Sequence, residues 1–186
     1  MKIPQTVLFL DRDGVINVDK GYVNRQQDFE FVSGIFELVR IARSNGFGVI
    51  VVTNQSGIGR GYYSEADFQR LTTWMLAEFI DQQAPIDHVY HCPFHPEATL
   101  PEFRQNHPWR KPSPGMLLAA VEQFDTNLAN SVFVGDKRTD VQAGIAAGIG
   151  TMLHLDPQAD KHAKTDATAV ISNLAEAQQW LRSPIE

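Results

Sequence analysis

Short apolar runs alternate along this chain with stretches whose apolar positions recur at helical spacing. Val7-Leu8-Phe9-Leu10, Gly48-Val49-Ile50-Val51-Val52 and Ser131-Val132-Phe133-Val134 are continuous runs, as expected of strands buried on both faces. Ile86 to Tyr90 and Thr151 to Leu155 read as further strands. Between them, Ile35, Leu38, Val39 and Ala42 mark a helix that stops at Asn45-Gly46. Phe68, Leu71, Met75 and Phe79 mark a second, with Ser64 as its N-cap. A third runs from Pro114 to Phe124, and a helix of small residues lies around Val141 to Ala147. Near the end, Ala169 to Ile171 reads as an edge strand and Leu174 to Leu181 as a closing helix. Strands alternating with helices predict an α/β fold: a three-layer, mostly parallel sheet with helices on both faces. His91 to about Pro112, rich in Pro and His, is a long connection, and loops of that length are commonly functional.

Size and charge narrow the function. A chain of 186 residues most simply forms one domain, 1–186, with the long loop at about 91–112. A net charge of -6 argues against a nucleic-acid partner, whose backbone is held by clustered Lys and Arg. No apolar run approaches the roughly 20 residues that span a bilayer, so no membrane partner is expected. The opening Met1-Lys2-Ile3-Pro4-Gln5 enters the first strand too soon for a secretory signal. With Cys92 as the sole cysteine there is no intramolecular disulfide, and the cytoplasm is the expected compartment.

The strand ends carry the chemistry. Val7 to Leu10 runs into Asp11-Arg12-Asp13-Gly14, Val52 into Thr53-Asn54-Gln55-Ser56-Gly57, and Val134 into Gly135-Asp136-Lys137-Arg138-Thr139-Asp140, with Arg110-Lys111-Pro112 between the last two. Ligands of open α/β sheets bind at the carboxyl ends of the strands. Two acids there can divide nucleophile and acid/base roles while a divalent cation offsets their repulsion. A hydroxyl, an amide and a Lys suit phosphate oxygens, and a second acidic strand end completes a metal site.

In this order, Asp-x-Asp-Gly, Thr-Asn-Gln-Ser-Gly, Arg-Lys-Pro and Gly-Asp-x-x-x-Asp resemble the four motifs of the haloacid-dehalogenase-type phosphatases. Within these, the chain from about Thr6 to Leu155, including Asn17 to Val23 and Tyr90 to Pro93, is most similar to the heptose bisphosphate phosphatases, which are related to the histidinol-phosphate phosphatases. The resemblance implies a Rossmann-like, haloacid-dehalogenase-like sheet with no large cap domain. It implies Asp11 as nucleophile, Asp13 as general acid and then base, and Thr53, Asn54 and Lys111 as holders of the transferring phosphoryl group. Mg²⁺ is the expected cofactor, held by the Asp11 and Asp136 carboxylates and the Asp13 carbonyl, with Asp140 orienting that shell or serving as a first-turn helix acid. Arg110 and Lys137 are candidates for a second anionic group. Asp19, Lys20, Gly21 and Tyr22 form a candidate specificity flap, and Gln55 and Ser56 candidate sugar contacts.

The loop departs from its relatives. Where some hold structural zinc with Cys-x-His and Cys-x-Cys, this chain has Cys92-Pro93-Phe94 and His107-Pro108-Trp109. Only Cys92 and His107 retain zinc-capable side chains, with His91 or His95 as conceivable substitutes, and structural zinc normally takes four protein ligands. Zinc is therefore not expected, and Phe94 and Trp109 read as an apolar replacement. The function implied is hydrolysis of a sugar phosphate monoester through an aspartyl-phosphate by a monomer, the substrate being the 7-phosphate of D-glycero-D-manno-heptose 1,7-bisphosphate. In that family this step serves nucleotide-activated heptose formation for surface polysaccharides such as lipopolysaccharide. The alternatives are histidinol-phosphate phosphatase, a nucleic-acid 3′-phosphatase, which the acidic balance disfavours, and a phosphatase-like protein that binds a sugar phosphate without turnover.

Overall fold

The computed structural model describes residues 3–158 and 165–181, so Met1 and Lys2 of the opening segment lie outside the described residues. In chain order the elements are β1 (Val7–Leu10), α1 (Ile35–Ser44), β2 (Gly48–Asn54), α2 (Ser56–Gly59), α3 (Glu65–Asp81), β3 (His88–Cys92), α4 (Gly115–Phe124), β4 (Val132–Gly135), α5 (Arg138–Ala147), β5 (Thr151–Leu155), β6 (Ala169–Ile171) and α6 (Leu174–Ala177). The six strands form one sheet in the order β3-β2-β1-β4-β5-β6, and every pairing is parallel. The chain turns in opposite directions from β1 and β4, so their carboxyl ends flank the crevice where such sheets bind ligands.

Alternation within each strand divides the core. Leu8, Leu10, Val49, Val51 and Val134 pack with α1, α3 and α6, through Leu38, Met75 and Leu174 among others. Val7, Phe9, Ile50, Val52 and Phe133 pack with α4 and α5 through Met116, Ala120 and Val141. Both faces are therefore covered, which is why these strands read as unbroken apolar runs. Ser64 caps α3 as expected: its Oγ accepts from the Asp67 N–H at 3.1 Å while the Asp67 carboxylate accepts from the Ser64 N–H at 2.8 Å. Among the described residues no helix is long and apolar enough to cross a membrane.

The differences from expectation are local. β3 begins at His88 rather than Ile86, and the closing helix is α6 followed by a 3-10 turn, Gln178–Trp180. α2 and the 3-10 turns Gln26–Asp28, Pro101–Phe103 and Leu128–Asn130 span four residues or fewer, too short for a periodic apolar stripe. Residues 14–32 form a flap over the end of β1, pinned by the Val18 N–H to Glu30 O at 2.8 Å and the Val32 N–H to Ile16 O at 2.9 Å.

Candidate active site

Asp11 follows the last residue of β1 and is buried, its backbone N–H bonded to Val134 O at 3.0 Å. The Lys111 ammonium reaches in beside it, 3.0 Å from Asp11 Oδ1 and 2.6 Å from Asp140 Oδ1, and donates to Val52 O at 2.8 Å. The Arg12 N–H also donates to Asp11 Oδ1, at 2.7 Å, so Oδ2 carries neither of these contacts. Burial above all pushes the Asp11 carboxyl up to about 6; Lys111 opposes this, and Asp140 and Asp13 add to it. Asp136 follows β4, and burial, then Asp11, pushes its carboxyl up to about 7 against Lys137. Lys111 is itself held above the usual lysine range: burial opposes its charge, but Asp11 and Asp140 outweigh it.

Asp11, Asp136 and Asp140 bring ligand oxygens within 4.8 Å of one another, the one such group of three or more metal-binding side chains among the described residues. Asp136 Oδ1 is buried with no hydrogen-bond partner among the described residues. Oxygen-only donors with an unsatisfied buried carboxylate fit a hard divalent cation. Asp140 Oδ1 pairs with Lys111, and Oδ2 accepts from the Lys137 N–H at 2.9 Å, at the start of α5. Gly14 is demanded by this packing, since a Cβ there would lie 2.1 Å from Asp136 Oδ2 and its φ is +94°.

A cavity of about 360 Å³ opens above, walled by Asp13, Asp19, Gly21, Tyr22, Asn54, Gln55, Ser56, Tyr63, Arg110, Lys111, Lys137 and Thr139. Asp11, Thr53 and Asp136 sit directly behind that wall, each against one of its residues. Lys137 bonds Asp19 at 2.9 Å and lies 4.0 Å from Asp136. Arg110 makes no ion pair among the described residues and donates only to Phe94 O, at 3.3 Å.

One residue lies off the cavity, and two that line it are engaged by neighbours. Lys20 does not face the cavity but pairs with Glu30 at 2.9 Å on the outside of the flap. Gln55 is buried with its whole amide engaged: Nε2 donates to Asp13 Oδ2 at 2.9 Å and Thr53 Oγ1 at 2.8 Å, and Oε1 accepts from Tyr63 at 2.6 Å. Its side chain both lines the cavity and donates to Asp13. The Asn54 amide clips the Lys111 backbone, donating to its carbonyl at 3.0 Å and accepting from its N–H at 3.1 Å.

Three site residues were not anticipated. Arg12 is 2% exposed; its Nη2 donates to both Asp13 oxygens at 2.8 Å and to Val23 O at 2.8 Å, tying Asp13 to the flap. Asn17 donates to Asp13 Oδ1 at 3.1 Å, and Tyr63 reaches the site through Gln55. Arg12 had a signal, since a cation between two acids at a buried strand end must be paired. Asn17 opens the Asn17 to Val23 stretch of the resemblance but carried no assigned role, and Tyr63 had no signal.

The loop is held by rings. Phe94 stacks on His107 with centroids 4.2 Å apart, and Trp109 meets Tyr90 edge-on at 5.6 Å. Cys92 is buried, His91 pairs with Glu65 at 2.7 Å, and His95 Nδ1 accepts from the Glu97 N–H at 2.9 Å. Neither histidine completes a set of four ligands with Cys92 and His107.

Residues 108–177 match a family model described as HAD-hydrolase-like. The chain is 50% identical over 177 residues to the D-glycero-α-D-manno-heptose-1,7-bisphosphate 7-phosphatase of Burkholderia mallei, covering 95% of this chain and 94% of that one. It is 43% identical to the D-glycero-β-D-manno-heptose-1,7-bisphosphate 7-phosphatase of Escherichia coli K12, covering 94% and 93%. The D,D-heptose 1,7-bisphosphate phosphatase of B. bronchiseptica, crystallised with magnesium and phosphate, superposes with a TM-score of 0.80 at 26% identity, over 95% of this chain and 97% of that one. The chain belongs to the haloacid-dehalogenase-like hydrolases, in the family of the D-glycero-D-manno-heptose-1,7-bisphosphate 7-phosphatases.

Proposed function

We propose that this protein hydrolyses the 7-phosphate of D-glycero-D-manno-heptose 1,7-bisphosphate through an aspartyl-phosphate at Asp11, as a Mg²⁺-dependent, cytoplasmic, monomeric, single-domain enzyme. The observation that carries the reading is the meeting of Asp11, Asp13, Lys111 and Asp136 at the switch point of the sheet, beneath a wall that includes Arg110. Asp11 attacks phosphorus. Asp13 gives its proton to the leaving sugar oxygen, and then takes one from the water that displaces Asp11. Lys111 balances the charge of Asp11 and of the incoming phosphate. Mg²⁺, held by Asp11, Asp136 and the Asp13 carbonyl, would supply charge neutralisation on the phosphoryl oxygens.

A kinetic comparison of the two heptose 1,7-bisphosphate anomers, histidinol phosphate and a 3′-phosphorylated oligonucleotide tests the substrate. A heptose bisphosphate is expected to have the highest kcat/KM; preference for either of the others would overturn the assignment, and no turnover of any would leave a binding protein.

The cation and the protons compete for the same oxygens. Burial pushes the Asp11 and Asp136 carboxyls up to about 6 and about 7 against 3.8 in the unfolded chain, so these two groups' contribution to the stability of the ion-free protein is lost as pH rises from about 4 to about 7. Mg²⁺ relieves that cost only where the carboxylates are ionised. Its stabilisation in thermal unfolding is expected to be larger at pH 8 than at pH 5.5; an equal shift at both would contradict the ligand assignment.

Lys137 is already matched by Asp19, so Arg110 is the wall cation without an ion pair among the described residues and is placed to meet a second phosphate. Hydrogen bonds to charged groups contribute roughly 1.5–3 kcal/mol, about ten- to a hundred-fold. Arg110→Ala is therefore expected to lower kcat/KM for the bisphosphate by about that factor more than for its monophosphate. Equal losses would place Arg110 in support of the fold or the reacting phosphate. Because rings pack the loop, a zinc-selective chelator is expected to leave thermal unfolding unchanged, and elemental analysis finding about one tightly bound zinc per chain would contradict that.

A further inference from the structure

Asp13 is reached by a hydrogen-bonded link that begins on α3's leading edge. Tyr63 is 7% exposed and its ring lies on Gly57, where a Cβ would stand 2.2 Å from Tyr63 Cε1. The absent side chain lets the phenol reach Gln55 Oε1, to which it donates at 2.6 Å. An amide has one acceptor end and one donor end, and its partners decide which way it points. Burial raises the Tyr63 hydroxyl above its ordinary range, so it remains a donor at every working pH. With Oε1 fixed on Tyr63, Gln55 Nε2 is turned to Asp13 Oδ2 at 2.9 Å. Arg12 bonds both Asp13 oxygens alike and Asn17 takes Oδ1, so Gln55 is the donor particular to Oδ2.

We propose that Tyr63 is a positioning residue for the reaction: by anchoring the Gln55 amide it holds the Asp13 carboxyl in one rotation through both proton transfers. The inference rests on the reading of Asp13 as general acid and base. In the first half-reaction the Asp13 proton passes to the leaving oxygen as its bond to phosphorus breaks and the Asp11 bond forms. In the second, Asp13 takes a proton from water as the water oxygen bonds to phosphorus and the Asp11 bond breaks. A leaving group that departs readily as an anion does not need the first proton, whereas a sugar alkoxide does.

The test is single-turnover formation of the phosphoryl-enzyme by Tyr63→Phe, with an alkyl sugar phosphate and with an aryl phosphate of low leaving-group pKa, beside Asp13→Asn as reference. Tyr63→Phe keeps the ring over Gly57 and removes only the donor. It is expected to slow the sugar phosphate about three- to ten-fold with KM unchanged, and to leave the aryl phosphate within about two-fold. Gln55→Met approaches the same link from its other end, and adding Tyr63→Phe to it is expected to cause no further loss. If Asp13→Asn is selective for the sugar phosphate while Tyr63→Phe slows both substrates equally, or neither, the role of Tyr63 is overturned and that of Asp13 stands. If Asp13→Asn itself slows both equally, the acid assignment fails and the Tyr63 proposal with it.

Discussion

Asp11→Asn is expected to abolish turnover, lowering kcat by roughly four orders of magnitude or more, as loss of a catalytic nucleophile does elsewhere. The amide keeps the shape of the carboxylate but is a poor nucleophile. The fold should survive, because Asp11 is a cost to the ion-free protein: burial lifts its carboxyl to about 6, so at pH 8 it is held ionised against that preference. The variant is therefore expected to unfold no earlier than the parent at pH 8 without Mg²⁺, and to gain less from added Mg²⁺ because one ligand is gone. Steady-state phosphatase assays and thermal unfolding on the same preparation check both halves. Near-parental turnover would remove Asp11 as nucleophile.

Lys111→Met is expected to have the largest effect on stability. The ammonium is 3% exposed and stands between Asp11 and Asp140, so its loss leaves two buried carboxylates without their counter-ion. Breaking a buried pair from one side costs about 3–5 kcal/mol, and each kcal/mol lowers Tm by about 2–4 °C in a domain of this size. The loss should be smaller at pH 5 than at pH 8, because Asp11 can take up a proton to relieve the repulsion. Urea unfolding at the two pH values checks this, and an equal loss at both would mean that Lys111 acts through packing and its bond to Val52 O.

The reach of the sequence follows the physics of each residue. β1 and the acids beyond it were legible because a strand covered on both faces must be apolar until it ends, so Asp11 and Asp13 mark the sheet edge by contrast. The stripes of α1 and α3 were legible because one face is buried against the sheet. Lys20, and the neighbours that engage Gln55 and Asn54 at the cavity wall, were not, because a polar residue at a site mouth has the same composition whether it meets a ligand or a neighbour. Here the Gln55 and Asn54 amides are occupied by Asp13, Thr53, Tyr63 and Lys111, and Lys20 by Glu30. Arg12 escaped notice because a charged residue between two others reads as solvent-facing, yet it is the bulkiest of the fully buried side chains. Phe94 and Trp109 were legible as an apolar staple because two ring side chains stand at both departures from a four-ligand pattern.

The central claim is that phosphate passes through Asp11. Acid quench of the enzyme during turnover of a heptose bisphosphate, followed by borohydride reduction and peptide mass analysis, converts an aspartyl-phosphate to homoserine at the residue that carried it. Homoserine is expected at position 11 and not in Asp11→Asn; turnover with no reduced residue, or with reduction at Asp13 or Asp136, would remove Asp11 as the phosphate carrier.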